Sequence, residues 1–553
     1  MIQKGVFVSM RQYKLFWLFS LLTGLALVVS ACAGDGEPVD EPEEGEEAEE
    51  AGGDLTIALG ADVVSLSTHG SNDVPSSNVQ ENIYETLTVL DEDQEVQPGL
   101  AEDWEEVDET TWDFFLREDV TFHDGEEFNA EAVKTNFERL KDEDVASPRA
   151  FLLEQVEEIE VVDDYTVRLH LEYAYAPLLA NLAHTGTAIM SPKIIEEDYD
   201  QMDVEDADDI DEEEVAEEGD PDAYINQNPA GTGPFKYEEW TPGEKVVLSR
   251  YDDYWGEPAK LDSVEFKVVD EQSSRIAELE TGESDIADAI GPDNISRVEG
   301  MPDADVLQEP SVSMSYIGIN VEQEPFDDVK VRQAISMAID KEEIIEGVYE
   351  GIGIPAVGPL APPVFGFDES VDGLEYDPEK AEELLAEAGY EDGFETTIWT
   401  NDDEQRIDTA VAVQSQLAEI GVDVEIEELE WGAYLERTAN GEHDMFVLGW
   451  STVTSDADYG MYPLFHSSQH GDPGNRSFLS DDEVDEVLDE ARRETDDDKR
   501  QELYSEAQEL LIDLAPMLYI HHQEYLLGVN ENVKDFGIDA QGIYQLKDTY
   551  IEE

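Results

Sequence analysis

The chain has 553 residues, 40% of them hydrophobic, which is enough for two or three domains with well-packed cores. The 139 Asp and Glu residues outnumber the 30 Lys and Arg residues and give a net charge of −109 at pH 7. This charge excludes nucleic acid and anionic lipid headgroups as partners, because phosphate binding needs clustered Lys and Arg. It also indicates that the protein works in salty or alkaline surroundings. The alternative is an ordinary acidic secreted protein.

The first 31 residues have the pattern of a secretory signal peptide. Three basic residues precede the apolar run Leu15–Val29, which is shorter than the roughly 20 residues of a membrane-spanning helix. The run leads into Val29-Ser30-Ala31-Cys32, and Cys32 is the only Cys of the chain. This end resembles a bacterial lipobox. We therefore expect Cys32 to be the lipidated first residue of the mature protein, with an ordinary signal peptide as the alternative.

Residues 32–53 form an acidic segment that contains Pro and no Lys or Arg. Like charges and Pro favour an extended, disordered tether. Together with a lipid anchor, such a tether would hold a folded body at the outer face of the cell membrane. In a cell with an outer membrane, that is the periplasmic side.

The folded body begins with a predicted strand at Asp54–Gly60. Two hairpins are predicted with turns at Asp108-Glu109 and Asp163-Asp164, and the helix between them follows Asn129 as its N-cap. Residues 196–222 are acidic and of low complexity, so we expect an exposed insertion. A calcium-binding loop is the alternative, but the spacing of an EF-hand is absent.

A polar loop joins the first predicted strand to the next helix. It contains Asn72 and Asp73, which we expect to face a ligand because the loop follows the carboxyl end of a strand. Capping of the following helix is assigned to Ser76 or Ser77.

The C-terminal half alternates strands and helices. A helix is predicted between the N-cap Asp377 and the stop residue Gly389. Strands and helices then alternate as far as the strand that ends at Trp450, which predicts an α/β fold with βαβ units and a mostly parallel sheet. Ligands of such sheets bind beyond the carboxyl ends of the strands.

The segment Gly449–Ser468 begins at one such strand end. An aromatic ring can supply a flat apolar wall, hydroxyls supply hydrogen bonds and a carboxylate can receive an ammonium group. The alternative is a capped loop with a packed Trp. The candidate ligand residues here are Trp450, Ser451, Thr452, Asp456 and Asp458.

Arg406 begins the helix after the predicted strand FETTIWT. A cation at a helix N-terminus opposes the helix dipole, so a ligand carboxylate bound by Arg406 and the helix N-terminus would explain it. The alternative is pairing with Asp402, Asp403 or Glu404. Trp399, at the end of the preceding strand, is also expected to contact the ligand.

Several blocks, in this order along the chain, resemble the family 5 extracellular solute-binding proteins, the peptide, glutathione and nickel binders of ABC importers. They are LREDVTFHDGEEFNAEAVKTNFERL, NPAGTGPFKYEEWTPGEKVVLSRYDDYWG, PFDDVKVRQAISMAIDKEEIIEGVY, YDPEKAEELLAEAGY and the segment that contains GWSTVTSDADYGMYPLF. The resemblance implies a two-lobed, periplasmic-binding-protein-like α/β fold with an extra domain in the first lobe, and an ABC permease as partner. The implied limits are lobe 1 at 54–306 with the extra domain at about 91–195, lobe 2 at 307–524, and a return segment to lobe 1 at 525–553.

The segment with GWSTVTSDADYGMYPLF is most similar to the glutathione-binding subgroup. Relatives that bind dipeptides and oligopeptides carry an Asp three residues after the Trp, which pairs with the peptide amino group, whereas this chain has Val453 there. The resemblance implies a glutathione-like ligand or a short peptide, whose amine is taken by Asp456, by Asp458 or by a group elsewhere. A general oligopeptide or nickel-chelate binder of the same family is the alternative.

Catalytic and metal-binding motifs have no support in the sequence. It contains no G-x-S-x-G, no phosphate-binding loop after Gly231 and no H-E-x-x-H. His521 and His522 alternate faces on a predicted strand, so they cannot easily bind one metal ion. We expect a monomeric binding protein with no catalysis, no cofactor and no metal site; a secreted hydrolase is the rival from another class.

Overall fold

The computed structural model describes residues 52–91, 94–205, 223–471 and 474–552. The predicted signal peptide, Cys32 and most of the predicted tether lie outside these ranges, as do residues 206–222 of the predicted acidic insertion. In the ranges that the structure describes, no helix combines the length and the apolar character needed to cross a membrane.

The secondary structure contains strands and helices throughout the described chain. The strands are β1 Asp54–Leu59, β2 Thr88–Leu90, β3 Val96–Pro98, β4 Ala101–Asp108, β5 Thr111–Leu116, β6 Val156–Asp163, β7 Thr166–Leu171, β8 Phe235–Thr241, β9 Lys245–Arg250, β10 Ser263–Val268, β11 Ile286–Ala287, β12 Ala304–Ile319, β13 Ile354–Pro355, β14 Phe394–Thr400, β15 Val422–Glu428, β16 Met445–Ser451, β17 Met517–Asn530, β18 Val533–Lys534, β19 Gly537–Ile538, β20 Tyr544–Gln545 and β21 Tyr550–Ile551. The α-helices are α1 Val74–Ile83, α2 Ala130–Leu140, α3 Leu178–Asn181, α4 Pro192–Glu205, α5 Tyr224–Gln227, α6 Gln272–Thr281, α7 Ile295–Val298, α8 Val329–Met337, α9 Lys341–Val348, α10 Pro378–Ala388, α11 Glu404–Glu419, α12 Trp431–Ala439, α13 Ala457–Phe465, α14 Asp482–Arg493 and α15 Asp497–Leu514.

One eleven-stranded sheet runs through the molecule in the order β15-β14-β16-β12-β17-β11-β1-β10-β9-β8, with β13 added beside β17. We call the part with β1 and β8–β11 lobe 1, and the part with β14–β16 lobe 2. The long strands β12 and β17 belong to both lobes, and we call them the bridging strands. Their mutual pairing is antiparallel and shifts register between Pro310 and Met314.

Local sequence explains the helix limits in lobe 2. Asp377 accepts a hydrogen bond from the Lys380 backbone N–H, Pro378 begins α10, and Gly389 ends it in the left-handed conformation with a φ of 93°. The predicted alternation is present as β14-α11-β15-α12-β16, in which β14 pairs in parallel with both β15 and β16. The prediction of a mostly parallel sheet is wrong for the sheet as a whole, which is mixed. The bridging strands run antiparallel to β11 and β16, and β9 runs antiparallel to β8 and β10.

A second sheet of four antiparallel strands, in the order β4-β5-β7-β6, has its own hydrophobic core. Both predicted hairpins are present in it, as β4-β5 and β6-β7. The helix α2 packs on this sheet, and its N-cap is Asn129, whose side chain accepts a hydrogen bond from the Ala132 N–H. The long apolar side chains of this core, such as Phe114 and Phe137, are fully buried.

The beginning of the predicted acidic insertion is ordered, which corrects the expectation for residues 196–205. These residues belong to α4, in which Ile194 and Ile195 are buried in the core of lobe 1. Asp198 is buried as well, and its carboxylate pairs with Arg139 of α2. The apolar positions and the ion pair fix the helix against lobe 1, and the high acidic content of the sequence conceals this pattern.

Candidate functional site

Strands from both lobes end at the boundary between the lobes. The strands β1 and β11 are parallel to each other and run in the direction of β12, from lobe 1 toward lobe 2. The strands β14 and β16 run in the opposite direction. The carboxyl ends of the two pairs therefore face each other across one gap, which the bridging strands span, and this is where ligands of open α/β sheets bind.

A cavity of about 270 Å³ lies in this gap, and we call it the interlobe cavity. Both lobes and β17 contribute to its wall. It is lined by Asp288, Ala289, Ile290, Pro292, Tyr349, Ile352, Gln405, His521, Gln523, Glu524, Tyr525, Leu526 and Leu527. The charged side chains in this set are the two carboxylates, Asp288 and Glu524, and the rest are apolar, amide, phenol or imidazole groups, which is the mixture expected of a small-molecule site.

Arg406 lies beside this cavity, because it follows the lining residue Gln405 in α11 and its charge acts on the hydroxyl of Tyr349, another lining residue. Asp403 caps α11 by accepting the Arg406 backbone N–H at 2.9 Å, while the guanidinium donates to the Asn401 Oδ1 at 3.0 Å. Among the ion pairs of the described residues, none within 4.0 Å includes Arg406. The predicted alternative, pairing with a neighbouring carboxylate, is therefore not observed, and the cation has no opposite charge in contact with it.

Trp431 is a candidate residue that the sequence analysis missed. Its ring is 41% exposed, stacks on Tyr434 with centroids 5.8 Å apart, and lies 5.3 Å from the Arg406 guanidinium carbon. It begins α12 directly after β15, the parallel neighbour of β14. The signal was present in the sequence, because Trp431 follows a predicted strand in the same way as Arg406 does.

The two acids of the Gly449–Ser468 segment are buried in ion pairs. Asp456 is the N-cap of α13, and both of its carboxylate oxygens accept hydrogen bonds from Arg500 at 2.7 Å. Asp458 forms an ion pair with Arg492 at 2.9 Å, and the Tyr175 hydroxyl donates to it at 3.2 Å. Burial raises the pKa of Asp458, and the charge of Arg492 opposes that rise. These pairings favour the alternative, a packed loop, for both carboxylates.

The same segment makes the contact between lobe 2 and the small four-stranded domain. Phe151 stacks on Tyr459 with ring centroids 5.1 Å apart, and the Ala176 N–H donates to the Arg492 carbonyl at 2.8 Å. The Tyr175–Asp458 hydrogen bond crosses the same boundary. These contacts join lobe 2 to the small domain, although the segment does not line the interlobe cavity.

The remaining candidates of this segment, Trp450, Ser451 and Thr452, lie at the end of β16 and contact neighbouring parts of the protein. The Trp450 indole N–H donates to the Tyr459 carbonyl at 2.9 Å, and its ring is half-buried. Ser451 is the last residue of β16 and pairs with Ser313 of β12, and the Thr452 side chain is buried. None of the three lines the interlobe cavity as the described residues define it.

Trp399 lies in the hydrophobic core of lobe 2 and not at the cavity. Its side chain is 3% exposed, and the Arg437 guanidinium carbon lies 4.3 Å from its ring centroid. The alternation of β14 turns Trp399 toward the helices of the core. The expectation of a ligand contact at Trp399 therefore has no support in the structure.

The loop before α1 is held by a buried arginine. Asp73, and not Ser76 or Ser77, caps α1 by accepting the Ser76 N–H at 2.8 Å. Arg149 is fully buried and donates to the Ser77 hydroxyl and to the Thr68 carbonyl. Asn72 is exposed beside the cap. Neither Asn72 nor Asp73 lines the cavity. The ligand contacts predicted for these two residues therefore remain predictions, and the structure gives no argument for them.

No group of three or more His, Cys, Asp or Glu residues that could hold a metal ion occurs in the described ranges. The side chains of His521 and His522 are buried, and burial lowers the pKa of His521 to about 4, so its imidazole is neutral at pH 7. Its ring packs against Tyr349 with centroids 4.0 Å apart. His521 therefore acts in the cavity wall as a neutral polar group.

Comparison with known proteins relates this architecture to a family of binding proteins. The family described as "Bacterial extracellular solute-binding proteins, family 5 Middle" matches residues 95–472. The glutathione-binding protein GsiB of Salmonella typhimurium is 33% identical over 496 residues, which cover 88% of this chain and 92% of the relative. The dipeptide-binding protein of Escherichia coli is 32% identical over 483 residues, which cover 83% of this chain and 86% of the relative.

Among solved structures, the chain is similar to the periplasmic binding protein DppA from Helicobacter pylori in complex with the peptide STSA. The TM-score is 0.74 and the identity is 32%, with 92% of this chain and 99% of that chain covered. The two-lobed α/β fold predicted from the sequence is thereby confirmed, as is the predicted resemblance.

Proposed function

The chain belongs to the family 5 bacterial extracellular solute-binding proteins, and from that premise we propose that it captures short peptides, glutathione among them, for an ABC importer. The observation that carries the proposal is the interlobe cavity, which both lobes line at the carboxyl ends of their strands. A ligand held there touches both lobes at once, so it stabilises the closed arrangement over the open one.

Arg406 is the proposed partner of the ligand carboxylate. It carries a positive charge with no carboxylate contact among the described residues, and it lies at a helix N-terminus beside the cavity. A guanidinium and the free backbone N–H groups of a helix start are both suited to bind a carboxylate. Trp431, stacked beside Arg406, would cover the ligand on that side.

The protein is proposed to release its ligand unchanged, without catalysis, cofactor or metal. The relatives named above are binding proteins. The cavity wall combines two carboxylates with a neutral histidine. Closure would exclude water around the ligand's charged groups and strengthen each hydrogen bond to them.

Cys32 is proposed to anchor the protein to the outer face of the cell membrane, near its permease, with residues 32–53 as the tether. The sequence around Cys32 carries this part of the proposal. Mass spectrometry of the protein purified from its membrane would detect the acyl chains on Cys32. Release of an unmodified protein from Cys32→Ser cells would support the anchor, and recovery of that variant in the membrane fraction would contradict it.

The domain limits implied by the resemblance are also a proposal, with lobe 1 at 54–306, lobe 2 at 307–524 and the return segment at 525–553. The pairing of β18 with β21 and of β19 with β20 gives the last segment two small ribbons of its own. Limited proteolysis would test the limits, because cuts should concentrate in the predicted insertion near 206–222 and between the lobes, and not within β12 or β17.

The net charge of −109 leads us to propose a salty or alkaline working environment. Repulsion between so many carboxylates disfavours the compact state, and salt screens it. The midpoint of thermal unfolding should therefore rise as NaCl is raised from about 0.1 M to about 1 M. An unchanged or lower midpoint would contradict this part of the proposal.

A ligand panel tests the proposed function most broadly. It should contain glutathione, dipeptides, longer peptides and nickel–histidine complexes, screened by thermal shift and quantified by calorimetry. A ligand at about 100 times its Kd adds roughly 2.7 kcal/mol of stability, which is easily detected. Glutathione or dipeptides should bind; binding of nickel complexes or long peptides alone would favour the alternative within the family, and turnover of any ligand would overturn the binding role.

A further inference from the structure

The interlobe cavity has an unbalanced charge. Its lining includes the carboxylates of Asp288 and Glu524, and no Lys or Arg among the described lining residues. Two other acids near the lobe boundary, Asp456 and Asp458, are already bound to Arg500 and Arg492. The carboxylates of the cavity form no ion pair among the described residues, so they are available to a positively charged group of a ligand.

Glu524 lies on the bridging strand β17, opposite Pro310 of β12 and beside the register shift of that pair. It is half-buried, and its Oε2 accepts the Gly353 N–H at 2.8 Å. In the hydrogen bonds formed by the described residues, its Oε1 has no partner. One bond therefore fixes the carboxylate in the wall, while the second oxygen remains available to a ligand.

Asp288 follows β11 in lobe 1 and faces the same cavity. Burial raises the pKa of Asp288, while the nearby Tyr544 hydroxyl, the Arg275 charge and the backbone N–H groups of Ala289 and Gly60 oppose that rise. Arg275 holds this loop by donating to the carbonyls of residues 288 and 289. The Arg275 charge partly offsets that of Asp288, so Asp288 is the weaker of the two carboxylates for a cation.

His521 supplies an independent sign of a ligand in the cavity. Its side chain is 2% exposed, and its Nδ1 has no hydrogen-bond partner among the described residues, although leaving a buried polar atom unbonded is costly. On the opposite side of the cavity, in lobe 2, Gln405 lines the wall and Arg406 follows it in the chain. The cavity therefore has carboxylates toward β17 and lobe 1, a neutral polar group between, and a cation beside its lobe 2 edge.

We propose that Glu524, supported by Asp288, binds the free ammonium group of the ligand, so that the protein selects ligands with a free amine. This inference rests on the proposed function and adds to it the group that recognises the amine. The two charged ends of a short peptide would then lie on Glu524 and Arg406, and the ligand would join β17 to lobe 2.

The test is calorimetry with matched ligands and matched variants. The ligands are the tightest-binding short peptide of the panel and the same peptide with an acetylated amine. The variants are Glu524→Gln, Asp288→Asn and, as a control, Glu309→Gln, which changes a half-buried acid on the paired strand β12 that does not line the cavity. The amide oxygen that Glu524→Gln introduces can still accept the Gly353 N–H, so this variant should fold, and thermal unfolding would verify it.

Acetylation should weaken binding to the wild-type protein by about 10- to 100-fold, as expected for loss of a charge-assisted hydrogen bond. Glu524→Gln should weaken binding of the free peptide to a similar extent, Asp288→Asn by less, and Glu309→Gln by under about 2-fold. The acetylated peptide should bind wild type and Glu524→Gln equally, because the contact is already absent.

This inference would be overturned, while the proposed function stands, if wild type binds the peptide and both acetylation and Glu524→Gln change the affinity by less than about 2-fold. Failure of every peptide to bind wild type would overturn the proposed function, and this inference with it. Should Glu524→Gln fail to fold, the acetylated ligand on wild type and the Asp288→Asn variant still decide the matter.

Discussion

The Gly449–Ser468 segment and the interlobe cavity each place two carboxylates near the lobe boundary, but in opposite surroundings. In the segment, Asp456 receives two hydrogen bonds from Arg500, and Asp458 pairs with Arg492. In the cavity, Glu524 accepts one backbone N–H and contacts no cation among the described residues. The same chemical group is therefore neutralised by an Arg in the segment, whereas Glu524 in the cavity has no cation in contact with it among the described residues.

This difference has a physical basis in the scarcity of cations. The chain has 30 Lys and Arg residues for 139 Asp and Glu residues, so most carboxylates remain hydrated at the surface. Buried carboxylates require partners, and in lobe 2 these are Arg500, which is buried, and Arg492, which is half-buried. A half-buried carboxylate without such a partner is the better candidate for binding a cation that arrives from outside.

The largest effect is expected from breaking the Asp456–Arg500 pair. Asp456→Ala should destabilise the protein by about 3–5 kcal/mol, because it leaves the buried Arg500 without its charge partner and removes the α13 cap. Denaturant unfolding measures this loss. Asp482→Ala, which changes an exposed acid at the start of α14, serves as the control. A loss below about 1 kcal/mol would show that the pair is not structural, and the comparison would fail.

Glu81 extends the comparison to a carboxylate in lobe 1 that is bonded to a hydroxyl, that of Thr185, at 2.9 Å. Burial raises the pKa of Glu81 from 4.5 to about 7. The folded state therefore holds this proton more tightly than the unfolded state, so the stability that the proton contributes is full below pH 4.5 and is lost as the pH rises through about 7.

Glu81→Gln removes this titration. As the pH rises from 5 to 8, wild type should lose about 2 kcal/mol of stability that the variant keeps, because one pKa unit corresponds to about 1.4 kcal/mol. Denaturant unfolding at a series of pH values measures the difference. A constant difference across this range would contradict the raised pKa.

Arg406→Ala sharpens the cavity side of the comparison. It should weaken binding of a short peptide by about 10- to 100-fold with little loss of stability, because the guanidinium contacts Asn401 and the Trp431 ring and no carboxylate among the described residues. Calorimetry with the peptide and its C-terminal amide measures the effect. The amide should bind both proteins equally. Unchanged peptide affinity would remove Arg406 from the site.

The smallest effect is expected from Tyr175→Phe, which tests whether the Gly449–Ser468 segment reports closure. Loss of the hydroxyl removes a bond between the small domain and Asp458, while Arg492 still neutralises the carboxylate. Ligand binding should weaken by about 3- to 10-fold, since roughly 1 kcal/mol of closed-state contact disappears. Tyr165→Phe, elsewhere in the small domain, should leave affinity unchanged. Equal affinities for wild type and Tyr175→Phe would mean that this bond does not favour closure.

The order of strands and helices in lobe 2 was predictable, because each element carries its own signal. Asp377, Pro378 and Gly389 mark the limits of α10 by local chemistry alone. The role of Asp456 was not predictable, since its partner Arg500 is 44 residues away and no local pattern joins them. A sequence shows that an acid is present but not which cation is adjacent to it.

The sequence rules did not predict any residue that lines the interlobe cavity. Placing ligand groups at strand ends selected Arg406, which lies beside the cavity, but it also selected Trp399, which is buried in the core. Asp288 and Glu524 meet only because β11 and β17 pair although they are far apart along the chain. Such a pairing depends on the whole sheet, so these two residues have no local signature.

Small-angle X-ray scattering tests most directly whether the two lobes close on a ligand. The radius of gyration should be measured for the wild-type protein alone and at saturation with the peptide that calorimetry finds to bind. A smaller radius with ligand, and a smaller change for Tyr175→Phe at equal ligand excess, is expected. The same radius with and without a demonstrably bound peptide would contradict closure of the lobes around the interlobe cavity.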